Sequence, residues 1–251
     1  MIYLPLLLIG LEEMLRKKKP YVLIGMVFLC AISNFYFFFM LSVIAAVYVT
    51  IRYFITYAKN DRHKLLGFFI VGLRTGGNYL LGILMASVIF LPVVYAFLQN
   101  GRMGSKPEPM VSLLHYNMKY YLTVLRGVFA SGVDPGYWME LSFPTLAMIS
   151  FVILLCNKRY RKLKYCFLLV ILGCAVPAFG YFMNGFAYIT NRWCFLMPFA
   201  VALTVAVTYE EIFRLGPWEK VLLLLGVTGY GMISFAFASE RVVKLAFCLL
   251  L

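Results

Sequence analysis

Charge is what this chain has least of. Only 13% of its 251 residues are Asp, Glu, Lys or Arg, and 63% are hydrophobic. A soluble globular domain carries about 25% charged and about 45–50% apolar residues, so that class is excluded. The mean hydropathy is +0.88, and several windows exceed the roughly 18 apolar residues that span a bilayer core of about 30 Å. What remains is an all-α, polytopic transmembrane helical bundle. The formal charge of +13 does not indicate a nucleic-acid partner, because the basic residues fall in short blocks between apolar runs. That placement suits loops beside anionic headgroups and makes membrane lipids the expected partner.

Paired cysteines are missing too. The six cysteines (Cys30, Cys156, Cys166, Cys174, Cys194 and Cys248) all lie within apolar runs, with no CxxC and no Cys/His spacing suited to zinc. They read as single buried thiols, and neither a disulfide framework nor a metal site is expected. No HExxH, P-loop, GxSxG or dinucleotide fingerprint occurs, and no cofactor is evident. "GLRTGGNYLLG" is glycine-rich but lacks the lysine and flanking strand of a phosphate loop. Its glycines fit close helix contact or a bend.

The apolar runs and basic blocks together give a topology. "IYLPLLLIGL" is too short to span and has no basic segment before it, so it is not a signal peptide. It leads into "EEMLRKKK" and reads as the tail of a helix that begins upstream. "KLAFCLLL" stops within an apolar run, and the chain is expected to be a fragment of a longer protein, one transmembrane region over residues 1–251. Residues 20 to 58 are too long for one helix; split at "SNFYF" they form a hairpin with basic outer ends. "HKLLGFFIVGLRTGG" (63 to 77) reads as an interfacial helix, followed by an outward span over 78–98. Residues 99–140 form an extracytoplasmic loop. Spans over 142–156, 165–183 and 193–213 follow, and a last begins near Val221. The expectation is about seven or eight membrane segments, partial terminal ones included, plus interfacial helices. This arrangement puts 16 Lys/Arg inside and 7 outside, in keeping with the positive-inside tendency.

On that outer face lies "NGFAYITNRW" (184 to 193). Two roles fit Arg192. It can grip a phosphate through parallel hydrogen bonds, or it can snorkel to the headgroups with Trp193 as an aromatic anchor. Asn184, Tyr188 and Asn191 can bond sugar hydroxyls or shape a turn. In the external loop, His115, Lys119, Thr123 and Arg126 share one helical face, with Leu114, Met118, Tyr121, Leu125 and Val128 on another. This is the pattern of an interfacial helix over 113–129, either an ordinary surface helix or a basic roof over a lipid headgroup. Carboxylates on this face are few: Glu108, Asp134, Glu140 and Glu240. Asp134, in "SGVDPGYW", is a weak catalytic candidate, and "DPG" is also a turn signal.

"LPLLLIGLEEMLRKKKP", "ISNFYFFFMLSVIAAVYVTIRYF", "FLPVVYAFLQNGRMG" and "NGFAYITNRWCF" occur in that order and together resemble the YfhO family of bacterial membrane proteins. The resemblance covers nearly the whole chain, is strongest at "SNFYF" and "NGFAYITNRW", and is weak over 100 to 140. It implies a multi-spanning glycosyltransferase with a GT-C-like fold in the bacterial cell membrane. Such an enzyme takes sugar from an undecaprenyl-phosphate carrier to a cell-surface polymer such as lipoteichoic acid, at the extracytoplasmic side. Polyprenyl-phosphate-linked sugar would be the donor and a surface glycopolymer the acceptor. The essential carboxylate of that fold sits in the first external loop, expected upstream of this chain. Arg192 then becomes the candidate phosphate partner, and Asn184, Tyr188 and Asn191 the headgroup contacts. Asn34 and Tyr36 would line the same cavity, with Arg102 and His115 as weaker candidates. The competing readings are a transporter or flippase of polyprenyl-linked glycans, favoured by interrupted helices in matching halves, and a non-catalytic membrane scaffold.

Overall fold

A computed structural model describes residues 2–57, 63–99, 113–128, 136–139 and 141–237. Every regular element among them is helical. The chain divides into two compact units, Met1–Ser105 and Lys106–Leu251.

The first unit is built from α1 (Tyr3–Lys17), α2 (Tyr21–Ser33), α3 (Phe35–Arg52) and α4 (Lys64–Gln99). In α1, Leu4, Leu7, Leu11 and Met14 recur at helical spacing and are all buried. Gly10 lets the α2 backbone come close: a Cβ at this position would lie 2.8 Å from the Leu23 nitrogen. Gly82 of α4 does the same against Val27 and the Ile24 carbonyl. α2 therefore packs chiefly between α1 and α4. Small residues at such crossings are how apolar helices gain van der Waals contact where no water is available to drive them together.

The break expected at "SNFYF" is present. Asn34 is extended, and its side chain accepts from the backbone N–H groups of Tyr36 and Phe37 at 3.0 and 3.1 Å, capping α3. α3 and α4 run antiparallel. Phe35 meets Phe90 and Phe97, Ser42 lies 2.7 Å from the Tyr79 hydroxyl, and Tyr53 contacts Phe68 and donates to the Lys64 carbonyl. At the basic end of the unit, Glu12 ties α1 to α3: its carboxylate accepts from Tyr48 and pairs with Arg52 and Arg16.

One expectation is corrected here. Residues 63 to 77 are not a separate interfacial helix, because α4 continues for 36 residues through Gly76 and Gly77. At 1.5 Å per residue it is about 54 Å long. Glycine in a helix interior costs only about 1 kcal/mol relative to alanine, and in apolar surroundings the backbone has no better partner than itself. Pro92 is also carried within the helix.

The second unit holds α5 (Met118–Gly127), α6 (Thr145–Cys156), α7 (Arg161–Ala175), α8 (Pro177–Met183), α9 (Leu196–Ile212) and α10 (Pro217–Phe237). α6 and α9 pack through small and hydroxyl residues: Ala147, Ser150, Ala200, Thr204 and Thr208 are buried. The three hydroxyls bond carbonyls one turn back in their own helices, so none is left unsatisfied. At the far end of α9, Glu211 accepts from Tyr160 and Asn157. The span expected over 165–183 is not one helix. Val176 is extended ahead of Pro177, as a residue preceding proline tends to be, and α7 and α8 meet at 89°.

By length and composition, three helices among the described residues can cross a membrane: Phe35–Thr56, Lys64–Gln99 and Arg192–Ile212. A fourth is added if the bent pair counts as one. Tyr21–Ser33 and Leu146–Cys156 are apolar but shorter. Of the five described cysteines, all unpaired, Cys30, Cys174 and Cys194 are buried, whereas Cys166 is exposed.

Gly10→Ala should force α1 from α2 and lower stability by about 1–3 kcal/mol. Gly25→Ala, whose added methyl meets open space, should be neutral or raise stability by about 0.4–1 kcal/mol. Thermal unfolding in detergent, followed by a thiol-reactive dye on the buried cysteines, checks both. Equal melting temperatures for the two variants would contradict this account of the crossing.

Candidate functional site

The bend between α7 and α8 organises the region around residues 184–193. Breaking a helix at Val176 leaves carbonyl groups at the end of α7 and N–H groups at the start of α8 without intrahelical partners. The segment 113–121 supplies them. The Tyr121 hydroxyl donates to the Ala175 carbonyl at 2.8 Å, and the Tyr120 hydroxyl lies 3.3 Å from the Cys174 carbonyl and 2.8 Å from Met139 Sδ. The Ala178 N–H donates to the Leu113 carbonyl at 3.0 Å.

Asn191 holds this clamp. It is fully buried, and its Nδ2 donates to the hydroxyls of Tyr116 and Tyr120 at 3.0 and 2.7 Å. Its backbone N–H donates to the Tyr137 carbonyl at 2.7 Å. Two glycines make room. A Cβ at Gly180 would lie 2.8 Å from Asn191 Oδ1, and one at Gly173 would lie 2.6 Å from the Trp193 ring. Burial raises the Tyr116 and Tyr120 hydroxyls well above the ordinary phenol range, and neighbouring phenols add to the effect. Both are neutral donors and acceptors at any ordinary pH.

The surface of the region is formed by other groups. Gly136, Tyr137 and Trp138 are all left-handed, with φ of 88°, 56° and 59°. This turn presents the exposed Trp138 ring beneath Arg192, whose guanidinium carbon sits 4.4 Å from the ring centroid. Such a contact is worth about 0.5–1 kcal/mol at an exposed site. Asn184 is buried and donates to the Tyr188 carbonyl at 2.9 Å, closing a turn through left-handed Gly185 and Phe186 and leaving the Tyr188 ring exposed.

The sequence-predicted residues therefore separate by burial. Arg192 and Tyr188 reach the surface, whereas Asn184 and Asn191 hold the loop from within. Trp193, read as the aromatic anchor, is only 3% exposed and packs against Gly173. The exposed ring beside Arg192 is instead Trp138. His115 is exposed beside the clamp. α5 is shorter than the 113–129 expected, and Asn117 caps it. It buries Tyr120 and Gly127 and leaves Met118 and Leu125 exposed; just ahead of it Tyr116 is buried and Leu114 exposed. Asn34 and Tyr36 belong to the first unit, where Asn34 is occupied as a cap. Arg102 and Asp134 lie outside the described residues, as do Glu108, Glu140 and Glu240. Sequence reading missed Trp138, Tyr116, Tyr120 and the break at Val176; only the last had a local signal, the proline that follows it.

Asn191→Leu should cost about 2–4 kcal/mol, because two buried hydroxyls lose their donor. The same clamp has an alkaline limit. Above the ordinary phenol value of about 10, the unfolded chain releases protons that folded Tyr116 and Tyr120 still hold, so stability falls as pH rises from there towards their raised values. Melting temperatures at about pH 9 and about pH 11 should differ more for wild type than for the Tyr116→Phe, Tyr120→Phe double variant. An unchanged alkaline slope in that variant would refute the clamp.

Comparison with known proteins places these features in a family. The profile described as "Bacterial membrane protein YfhO" matches residues 1–250. The "Uncharacterized protein YfhO" of Bacillus subtilis (strain 168) is 24% identical over 275 aligned positions, covering 96% of this chain and 29% of that protein. The chain thus spans less than a third of that relative's length. No solved structure matches. With its apolar helices and a match over nearly its whole length, the chain belongs to the YfhO family of bacterial membrane proteins.

Proposed function

We propose that the full-length protein is a GT-C-type membrane glycosyltransferase of seven or eight membrane segments in this region. It transfers a sugar from an undecaprenyl-phosphate carrier to a cell-surface polymer such as lipoteichoic acid. In this reading residues 184–193 face the extracytoplasmic side, in keeping with the charge asymmetry of the chain. The observation that carries the reading is Arg192 placed over the ring of exposed Trp138. A permanently charged, planar guanidinium held over an aromatic ring suits a phosphate, and exposed aromatic rings such as Trp138 and Tyr188 suit the apolar face of a sugar.

Transfer from such a donor requires a base to activate the acceptor hydroxyl and a cation to stabilise the departing phosphate. Arg192 takes the second role. The first belongs to a carboxylate in the first external loop of the full-length protein. Asn184 and Asn191 act by holding the loop that presents Arg192 and Tyr188. A carrier that moves the lipid-linked glycan without chemistry is the second reading, and the observation favouring it is the 89° break between α7 and α8, since interrupted helices are a hallmark of transporters.

In liposomes with a defined polyprenyl-phosphate sugar, Arg192→Lys in the full-length protein should slow transfer about tenfold to a hundredfold, the loss of about 1.5–3 kcal/mol from a charge-assisted hydrogen bond. Trp138→Ala should act in the same direction by freeing the guanidinium. Wild-type transfer by Arg192→Lys would reduce Arg192 to a headgroup anchor. Movement of the donor across the bilayer without any transfer would select the carrier.

A further inference from the structure

Helix α7 is apolar but too short to complete a crossing. It starts in the basic block of Lys158, Arg159, Arg161, Lys162 and Lys164, which sets that end at a headgroup boundary. From Tyr165 to Asn191 there is no Asp, Glu, Lys or Arg, so neither α8 nor the loop after it holds a charge that must reach water. The 15 residues of α7 rise about 22 Å, which is about 8 Å short of a hydrocarbon core of roughly 30 Å. There the chain turns through 89° into α8. A helix at a right angle to a crossing helix runs parallel to the membrane surface. The depth of about 8 Å lies within the roughly 5–10 Å at which surface-lying helices bury their apolar faces.

The two faces of α8 differ. Pro177, Gly180 and Met183 are buried, and Gly180 lies against Thr190 and Asn191. Phe179 and Phe182, one turn apart, are exposed, and the Phe182 ring continues into that of exposed Phe186 at a centroid distance of 5.6 Å. Phenylalanine, unlike tyrosine or tryptophan, has no polar atom to keep among the headgroups. Three such rings fit the acyl region just beneath them. The backbone points the same way. A helix start in water leaves its first N–H groups to the solvent, whereas hydrocarbon requires each to find a partner within the protein. Pro177 has no N–H, and those of Ala178 and Phe179 donate to the Leu113 and Val176 carbonyls at 3.0 and 3.1 Å. The last carbonyls of α7 take the tyrosine hydroxyls described above.

We propose that α8 lies in the plane of the membrane, with Phe179, Phe182 and Phe186 seated among the acyl chains of the leaflet opposite the 158–164 block. The occupant of this aromatic face is lipid hydrocarbon near the glycerol level. The placement is the same for a transferase and for a carrier, because it uses only the entry of α7 into the membrane.

The experiment places one fluorescent amino acid at position 172, 179 or 182 of the full-length protein, each an exposed apolar site. The protein is reconstituted in vesicles of phosphatidylcholine and phosphatidylglycerol, with part of the lipid brominated near either the glycerol end or the tail end of its chains. Positions 179 and 182 should be quenched more strongly by glycerol-end bromine and should report one shared depth, about 5–10 Å below the headgroups. Position 172, about 16 Å along α7, should be quenched more strongly by tail-end bromine. Each position is made separately, and either of 179 and 182 alone gives a depth to set against that at 172. A shift of about 4.5 Å between 179 and 182 would mean that α8 continues the crossing, and would overturn the proposal. Quenching of both by aqueous iodide instead of brominated lipid would also overturn it, by putting the face in water. Quenching by neither would do the same, by putting another part of the protein or a second copy over the rings.

Discussion

A helix can bend sharply in apolar surroundings only if something takes up the backbone groups that the bend releases. In the second unit that requirement falls on the 89° turn at Val176, and hydroxyls from Tyr120 and Tyr121 meet it at the Cys174 and Ala175 carbonyls. Much of the local architecture follows from this. Tyr120 and Tyr116 must be held in place, so Asn191 is buried behind them. Asn191 must come close to α8, so residue 180 is glycine. The loop that brings Asn191 there also carries Trp193 under Gly173 and ends with Arg192 on the Trp138 ring. A surface guanidinium is positioned by a chain of contacts that begins with an unsatisfied carbonyl.

The first unit solves the same problem with less material. Its break at Asn34 is one residue long, and a single side chain caps the following helix. The remaining strain is taken by close contact at Gly10 and Gly82 and by the carboxylate of Glu12, which joins two helices through Tyr48 and Arg52. A half-buried carboxylate surrounded by three donors orients those helices more than it stabilises them, since the desolvation of such pairs offsets much of their attraction.

Features written in local composition were legible in the sequence. Long apolar runs marked α3 and α9, and the break at "SNFYF" followed from a run too long for one helix with basic residues at both ends, although the capping role of Asn34 did not. The proline after Val176 was equally local, but the apolar run around it hid its effect. The continuity of α4 through Gly76 and Gly77 depends on the surroundings, which no window of sequence displays. The candidate site was legible only at its surface. Arg192 and Tyr188 stand out as polar and aromatic groups at a boundary. The burial of Asn191 depends on tyrosines 71 and 75 positions away, and at that separation one sequence carries no pairing signal. The same distance explains why Trp193 rather than Trp138 looked like the exposed ring.

The clamp also has a direction in time. Tyrosines 116, 120 and 121 leave the ribosome before the carbonyls they serve, and Asn191 leaves after both. Because chains are built at about 5–20 residues per second, the broken helix reaches the bilayer with its partners already made but not yet locked. Closure waits for residue 191. Until then the tyrosine hydroxyls that serve the carbonyls of α7 have no buried amide behind them, and the arrival of one asparagine supplies it.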